Sequence, residues 1–314
     1  MTRQSLIQVT LFTLLSITAF SANAVICRWA LDHQLIDPMS FTSLRLGSAA
    51  AVLFLVMAWF YVRKAKSVSR SKESDHSVKN NAVQISRGSW RAAIILFIYT
   101  IFFSYGYVAI DTATGALLLA GVVQFTILGY AVRKGEKLHL AEWIGVAVAL
   151  LGLLYLVYPK LSTPSWWGLV LMTISSFAWG LYTINGRQSL NPLSDTAFNF
   201  FRTLPMVVVA SLFSFWLTED TFLTEKGVWL AVLSGGVTTG LGYVLWYSAL
   251  PKISSSMASS SQLLVPLIAA FGATWLIEEP ITLTFLISAV LMLGGLGLVV
   301  HGRNQHRKAN LKTS

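Results

Sequence analysis

Acidic residues are scarce in this chain and poorly placed for chemistry. There are 13 Asp and Glu against 23 Lys and Arg. None of the carboxylates falls inside an apolar run: Asp111 sits in a short link, and Glu136, Glu142, Glu278 and Glu279 sit at run edges. A carboxylate relay at membrane depth, of the kind that carries protons through pumps, is therefore missing. The one cysteine, Cys27, excludes an intrachain disulfide and a cysteine-based metal cluster. His33, His76, His139, His301 and His306 lie in links or at run ends, so no metal-ligating pair or hydrolytic triad assembles from them. The serines around 255–261 have no nearby base to activate them. No cofactor, no metal and no enzymatic reaction is expected.

Apolar residues are abundant instead. They make up 55% of the chain against 11% charged residues, and the mean hydropathy is +0.65. That is more apolar surface than a soluble core of this length buries, and it points to an all-α integral membrane protein. A helix needs roughly 20 apolar residues to cross the bilayer core. Ten such segments are read, at about 6–31, 39–62, 90–110, 112–132, 139–158, 166–186, 195–217, 228–250, 253–277 and 281–301. The serine-rich, basic stretch at about 63–89 has too few apolar residues to fold alone and is expected to be a disordered cytoplasmic loop.

The net charge of +10 is distributed in a way that argues against nucleic acid. Arg63, Lys64, Arg133, Lys134, Lys252, Arg303 and Lys308 fall in alternate links, while Asp32, Asp37, Glu219, Asp220 and Glu278 fall in the others. This satisfies the positive-inside rule with both termini cytoplasmic, in the cell (inner or plasma) membrane. No basic, aromatic-bearing soluble domain exists to bind a polynucleotide. Arg3, the apolar run from Ser5 to Phe20 and the small residues Ser21 to Ala24 also resemble a cleavable leader. The apolar run continues through Ala30, however, and has a counterpart in mid-chain, so it is read as helix one.

The chain repeats itself. TATGALLLAGVVQFTILGYAVRKGEK (112–137) aligns without a gap on SSMASSSQLLVPLIAAFGATWLIEEP (255–280), placing Gly129 on Gly272 and Glu136 on Glu279; further on, Gly152 falls on Gly295. Each copy holds about five apolar segments, and an odd number of crossings reverses whatever follows. The expectation is two inverted five-helix repeats around a central cavity, the ground plan of many secondary transporters. The first unit is 1–160, the second 161–302, and 303–314 is a basic cytoplasmic tail. The break falls at Pro159–Pro164, where proline ends one helix before the next.

Matching stripes at helical spacing mark the candidate binding faces. Helix one has Thr13, Ser16, Phe20, Asn23 and Cys27; helix six has Met172, Ser175, Trp179, Tyr182 and Gly186. Such faces line a cavity or glue helices together, and spacing does not separate the two. Helix eight supplies Gly236, Gly240, Tyr243, Trp246 and Tyr247, helix three Tyr99, Phe103, Tyr105 and Tyr107, and helix four Gln124. Pro266 near the middle of helix nine is expected to bend it and free the Gln262 carbonyl, with Ser255, Ser259 and Gln262 on the same face. Arg45 and Arg202, in the matching strings SFTSLRL and AFNFFRT, are expected near opposite membrane faces as snorkelling anchors, or as groups that attract substrate anions. Arg28 and Arg187 occupy helix ends, where anchoring is expected. Gly145, Gly152, Gly294 and Gly295 belong to helices five and ten, expected at the periphery.

The paired repeats, Pro266, the string IEEP at Ile277 to Pro280 and the glycine-rich last helix together resemble the EamA family of the drug/metabolite transporter superfamily, over about residues 8–302. The resemblance implies ten helices, a cavity between the repeats lined by helices one, three, four, six, eight and nine, and alternating-access movement of small metabolites, often outward and often amino acids or related compounds. No obligate protein partner is implied. Two departures stand out: Val123 occupies the position matching Pro266, and the first repeat ends Gly135, Glu136, Lys137 where the second has Glu-Glu-Pro. Import by the same fold, or a membrane enzyme or receptor-like scaffold, are the alternative readings.

Overall fold

The computed structural model describes residues 3–71, 86–135, 140–158, 166–187, 189, 191–217, 221–253 and 261–313. Ser255 and Ser259, Glu136 and Lys137, and the unit boundary at 159–164 lie outside the described residues. The helices are α1 (Arg3–Asp32), α2 (Pro38–Ser71), α3 (Trp90–Ala109), α4 (Thr112–Arg133), α5 (Leu140–Val157), α6 (Trp166–Arg187), α7 (Pro192–Leu217), α8 (Glu225–Ala249), α9 (Val265–Ile277) and α10 (Leu283–Thr313). Nine are long and apolar enough to cross a membrane among the described residues, α9 being the shorter exception. At about 1.5 Å per residue its 13 residues span only about 20 Å of a core some 30 Å thick.

Two helices run on past their apolar cores. Both α2, to Ser71, and α10, to Thr313, continue as helix into basic sequence expected to be loop and tail. Large apolar side chains such as Trp143, Leu154, Phe213, Trp216, Trp275 and Val290 stay exposed on the outside of the bundle. In water such a surface would drive association; against lipid tails it is the ordinary outer face of a membrane protein.

Helix contacts come in matched pairs. Extensive contacts join α5 with α10 and α2 with α7; α3 packs on α6 and α1 on α8; α4 packs on α6 and α1 on α9. Close backbone approach explains the α5–α10 pair, since a Cβ on Gly145 would stand 2.5 Å from the Gly295 carbonyl oxygen.

The two ends of the bundle are tied differently. At one end Asp111 caps α4 by accepting from the Thr114 amide at 2.7 Å, and Thr224 caps α8 by accepting from the Gly227 amide at 3.0 Å. A backbone bridge between Ile36 and Leu223 joins the α1–α2 and α7–α8 links there. At the other end the link entering α3 is held by α7: the Gly88 amide donates to Asp195 Oδ1 at 2.6 Å, the Ser89 amide to Asn199 Oδ1 at 3.0 Å, and the Ser194 hydroxyl to the Ser86 carbonyl at 2.7 Å.

Candidate functional site

Helix α8 is not a regular α-helix. Its middle, Ser234–Leu241, is a π-segment with the sequence SGGVTTGL. A bond pattern widened to i→i+5 lets residues four and five positions apart bracket one direction. Here Ser234, Thr238 and Thr239 all turn toward Asn23 of α1: its Oδ1 accepts the Ser234 and Thr239 hydroxyls at 2.7 and 3.4 Å, while the Thr238 hydroxyl, 3.3 Å from it, donates to the Ser234 carbonyl at 2.7 Å. Gly235 permits the close approach on the other side, because a Cβ there would lie 2.1 Å from the Arg45 carbonyl oxygen of α2. Sequence reasoning named Gly236 and Gly240, which meet Val52 at the looser distances of 3.3 and 3.1 Å.

Beside this contact lies a cavity of about 380 Å³. Its wall is largely aromatic: Phe20, Tyr99, Phe103, Trp179, Tyr243, Trp246 and Tyr247 line it, with Tyr182 and the polar Asn23, Gln124 and Gln262. The rings contact one another around the wall, Tyr99 with Trp179 at 4.8 Å, Trp179 with Tyr243 at 5.7 Å and Tyr243 with Phe20 at 5.6 Å between centroids. Among the described residues, none of α5 or α10 lines it.

Several expectations need correction. Ser16 turns back on its own helix, donating to the Thr13 carbonyl at 2.9 Å, and Ser175 donates to the Tyr99 carbonyl at 2.9 Å; both are packing bonds away from the cavity. Tyr105 points outward. Pro266 does not bend a continuous helix. The helix is interrupted by a turn at Leu263 and Leu264, and α9 starts afresh with Pro266 in its first turn, where the missing amide has no intrahelical partner to lose. Arg202 lies at the α3–α7 end, where its Nη1 donates to the Arg87 carbonyl and its guanidinium sits 5.7 Å from the Trp90 ring centroid.

Arg45 is the largest departure. Its side chain is not at an interface but only 2% exposed, bordering the cavity. The guanidinium carbon stands 4.7 Å from the Phe103 ring centroid and 5.8 Å from that of Tyr99. Nη2 reaches the Tyr99 hydroxyl at 3.4 Å, while Nε and Nη1 have no partner. Sequence alone named helices one, three, four, six, eight and nine as the wall; α2 enters it through this one residue.

A second feature escaped sequence reasoning. At the Asp111 end, Arg28 Nε lies 2.9 Å from Glu279 Oε1, and the other carboxylate oxygen accepts from the Thr112 amide at 2.8 Å. Arg28 Nη1 also donates to the carbonyls of Tyr107 and Val108 at 2.9 and 3.1 Å, and Nη2 pairs with Asp32 at 2.7 Å. Glu278 makes this possible by taking the left-handed conformation, φ 57°, that ends α9 and turns Glu279 inward. The string IEEP is thus a helix stop that delivers a carboxylate. Four segments (α1, α3, α4 and the α9–α10 link) are fastened over Tyr107, which lines the cavity and is fully buried. At its opposite extreme the cavity reaches Ser189, Leu250 and Ile253 in the links after α6 and α8.

The model of the EamA-like transporter family matches residues 166–301. An uncharacterized protein of Pseudomonas aeruginosa is 38% identical over 293 residues, covering 93% of this chain and 94% of that one. The chain belongs to the EamA-like transporter family. Among other relatives, an uncharacterized transporter of Bacillus subtilis is 22% identical over 83% of this chain and 86% of its own. A protein of Escherichia coli named "probable amino-acid metabolite efflux pump" is 26% identical over 64% of this chain and 72% of its own. A solved crystal structure, 17% identical, shares the fold with a TM-score of 0.60 over 93% of this chain and 96% of that chain. This EamA-like chain is a multi-pass membrane transporter.

Proposed function

We propose that this transporter exports amino acids or related amphipathic metabolites across the cell membrane by alternating access between two inverted five-helix halves. The observation that carries the reading is a cavity enclosed by both halves, fastened at one end by Arg28 and Glu279 and extending to the links after α6 and α8 at the other. The matched helix contacts support the two-half arrangement: exchanging α1–α5 for α6–α10 turns each major contact into another major contact or into itself.

The charge pattern supports the direction. Asp32, Asp37, Asp111, Glu278 and Glu279 cluster at the fastened end, whereas Lys252 adjoins the Leu250–Ile253 mouth. Under the positive-inside rule the cavity then faces the cytoplasm, poised to load cargo from within. The aromatic wall suits the apolar part of an amphipathic solute, and the amides of Asn23, Gln124 and Gln262 suit its polar part.

The test is a flux screen in liposomes containing only this protein, with labelled amino acids and related metabolites, with and without a pH gradient. Counterflow is measured in both protein orientations. Flux of a metabolite that expressing cells also extrude supports the reading. Accumulation into cells makes the protein an importer, and absence of flux for every compound overturns transport.

A further inference from the structure

We infer that Arg45 is the binding site for the carboxylate of an amphipathic organic acid or amino acid, held head-first with its apolar part among the cavity's aromatic rings. This deepens the transport reading above and rests on it.

Arg45 carries an unbalanced charge. A guanidinium stays protonated in proteins and carries five N–H donors. Arg45 is 2% exposed, yet it makes a single side-chain bond, at 3.4 Å, and its Nε and Nη1 have no acceptor. No acidic side chain lines the cavity, and Arg45 is the one formally charged side chain among its described lining residues. A buried cation with no counter-ion and one long hydrogen bond is costly, and at membrane depth such a residue marks a substrate pathway. The Phe103 face, 4.7 Å away, offsets only part of that cost.

The surroundings fit a carboxylate rather than a larger polyanion. A planar guanidinium matches two carboxylate oxygens with paired N–H groups, and of Arg45's three nitrogens only Nη2 is engaged, by the long 3.4 Å contact to Tyr99. The π-segment places a second donor nearby: Gly235 packs on the Arg45 backbone while its neighbour Ser234 bonds Asn23. With the Ser234 and Thr239 hydroxyls donating to its Oδ1, Asn23 has its amide NH2 left to offer the cavity. Beyond them lie Phe20, Trp179 and Tyr243, flat apolar surface for a side chain or ring. The corresponding Arg202 in the second half lies outside the cavity wall, so among the described residues the second half offers no matching guanidinium.

The experiment compares N-acetyl-L-phenylalanine with N-acetyl-L-phenylalaninamide, which differ only in the carboxylate. Binding to the full-length purified protein is read by tryptophan fluorescence, since Trp179 and Trp246 line the cavity. The acid is expected to bind about ten- to a hundredfold more tightly than the amide. In Arg45→Gln the preference collapses to parity, and in Arg45→Lys, which keeps the charge without the fork, part of it returns. Parity in the unmutated protein, including no binding of either compound, overturns the assignment without recourse to any variant. A preference preserved in Arg45→Gln overturns it as well. Liposome flux of the acid is a separate arm: preferential binding without flux counts against transport and leaves Arg45 assigned, whereas flux without preference does the reverse.

Discussion

The contact between Arg28 and Glu279 is expected to hold one end of the cavity shut, and neutralising it should open that end. The pair is 2.9 Å apart with both side chains 14% exposed, and the same carboxylate takes the Thr112 amide at 2.8 Å. Charge-assisted bonds contribute about 1.5–3 kcal/mol each where water is largely excluded. Because Arg28 keeps Asp32 and two carbonyls, Glu279→Gln should cost the closed state about 2 kcal/mol, at the low end of that range for the bonds it weakens. If the contact exists only when this end is closed, the open-to-closed ratio rises roughly thirtyfold. The reporter is Ala24→Cys, a cavity-lining position, in a Cys27→Ser background that removes the chain's one native thiol. A membrane-impermeant maleimide applied to whole cells should label it at least about tenfold faster when Glu279→Gln is added. Equal labelling with and without Glu279→Gln, in whole cells and in inside-out vesicles alike, would refute the latch. Acceleration confined to inside-out vesicles would instead invert the assigned orientation.

Two further outcomes follow from backbone contacts. Gly235→Ala puts a methyl group about 2.1 Å from the Arg45 carbonyl oxygen, so α2 and the π-segment must separate. A loss of about 1–3 kcal/mol is expected, read as a lower melting temperature in detergent, whereas Gly236→Ala, facing Val52 at 3.3 Å, is expected to melt near the parent; the opposite order would sink the packing argument. Pro266→Ala should leave the melting temperature nearly unchanged because the proline occupies the first turn of α9. Val123→Pro, inside α4, breaks a helical bond to the Leu119 carbonyl and should cost about 3 kcal/mol or more; equal effects of the two substitutions would contradict this assignment of the helix start.

What the sequence revealed was what period and composition encode. Apolar run length fixes where helices cross, and nine of the ten expected segments emerge as single long apolar helices. The three-four spacing of Phe20 and Asn23, and of Trp179, Tyr182 and Gly186, places residues on one face, and those residues do line one cavity. Period alone does not say how far along the face the cavity extends, so it groups Ser16 and Ser175 with their neighbours although they end in packing bonds. The π-segment was illegible for a related reason. Its presence depends on which carbonyl each amide selects, and SGGVTTGL reads equally well as a small-residue α-helix. Proline was misjudged because its effect depends on position within a helix, and the true start of α9 was hidden inside an apolar run.

Charge was the hardest property to place, and the two halves show why. Arg45 and Arg202 occupy matching strings in the repeat, so sequence symmetry assigns them one role. Their neighbours break that symmetry. On α2, Gly235 lets the π-segment press against the turn that carries Arg45, and the side chain folds inward under Phe103 and Tyr99. On α7, no such segment covers Arg202, and its guanidinium finds the Arg87 carbonyl and Trp90 at the bundle end. Under the proposed two-half arrangement, both halves share one motion while only one holds the charged part of the cargo, because rocking depends on shared helix packing and recognition on single side chains. In this chain the residue that sets recognition is thus decided less by the repeat than by the glycine that lets a neighbouring helix come close.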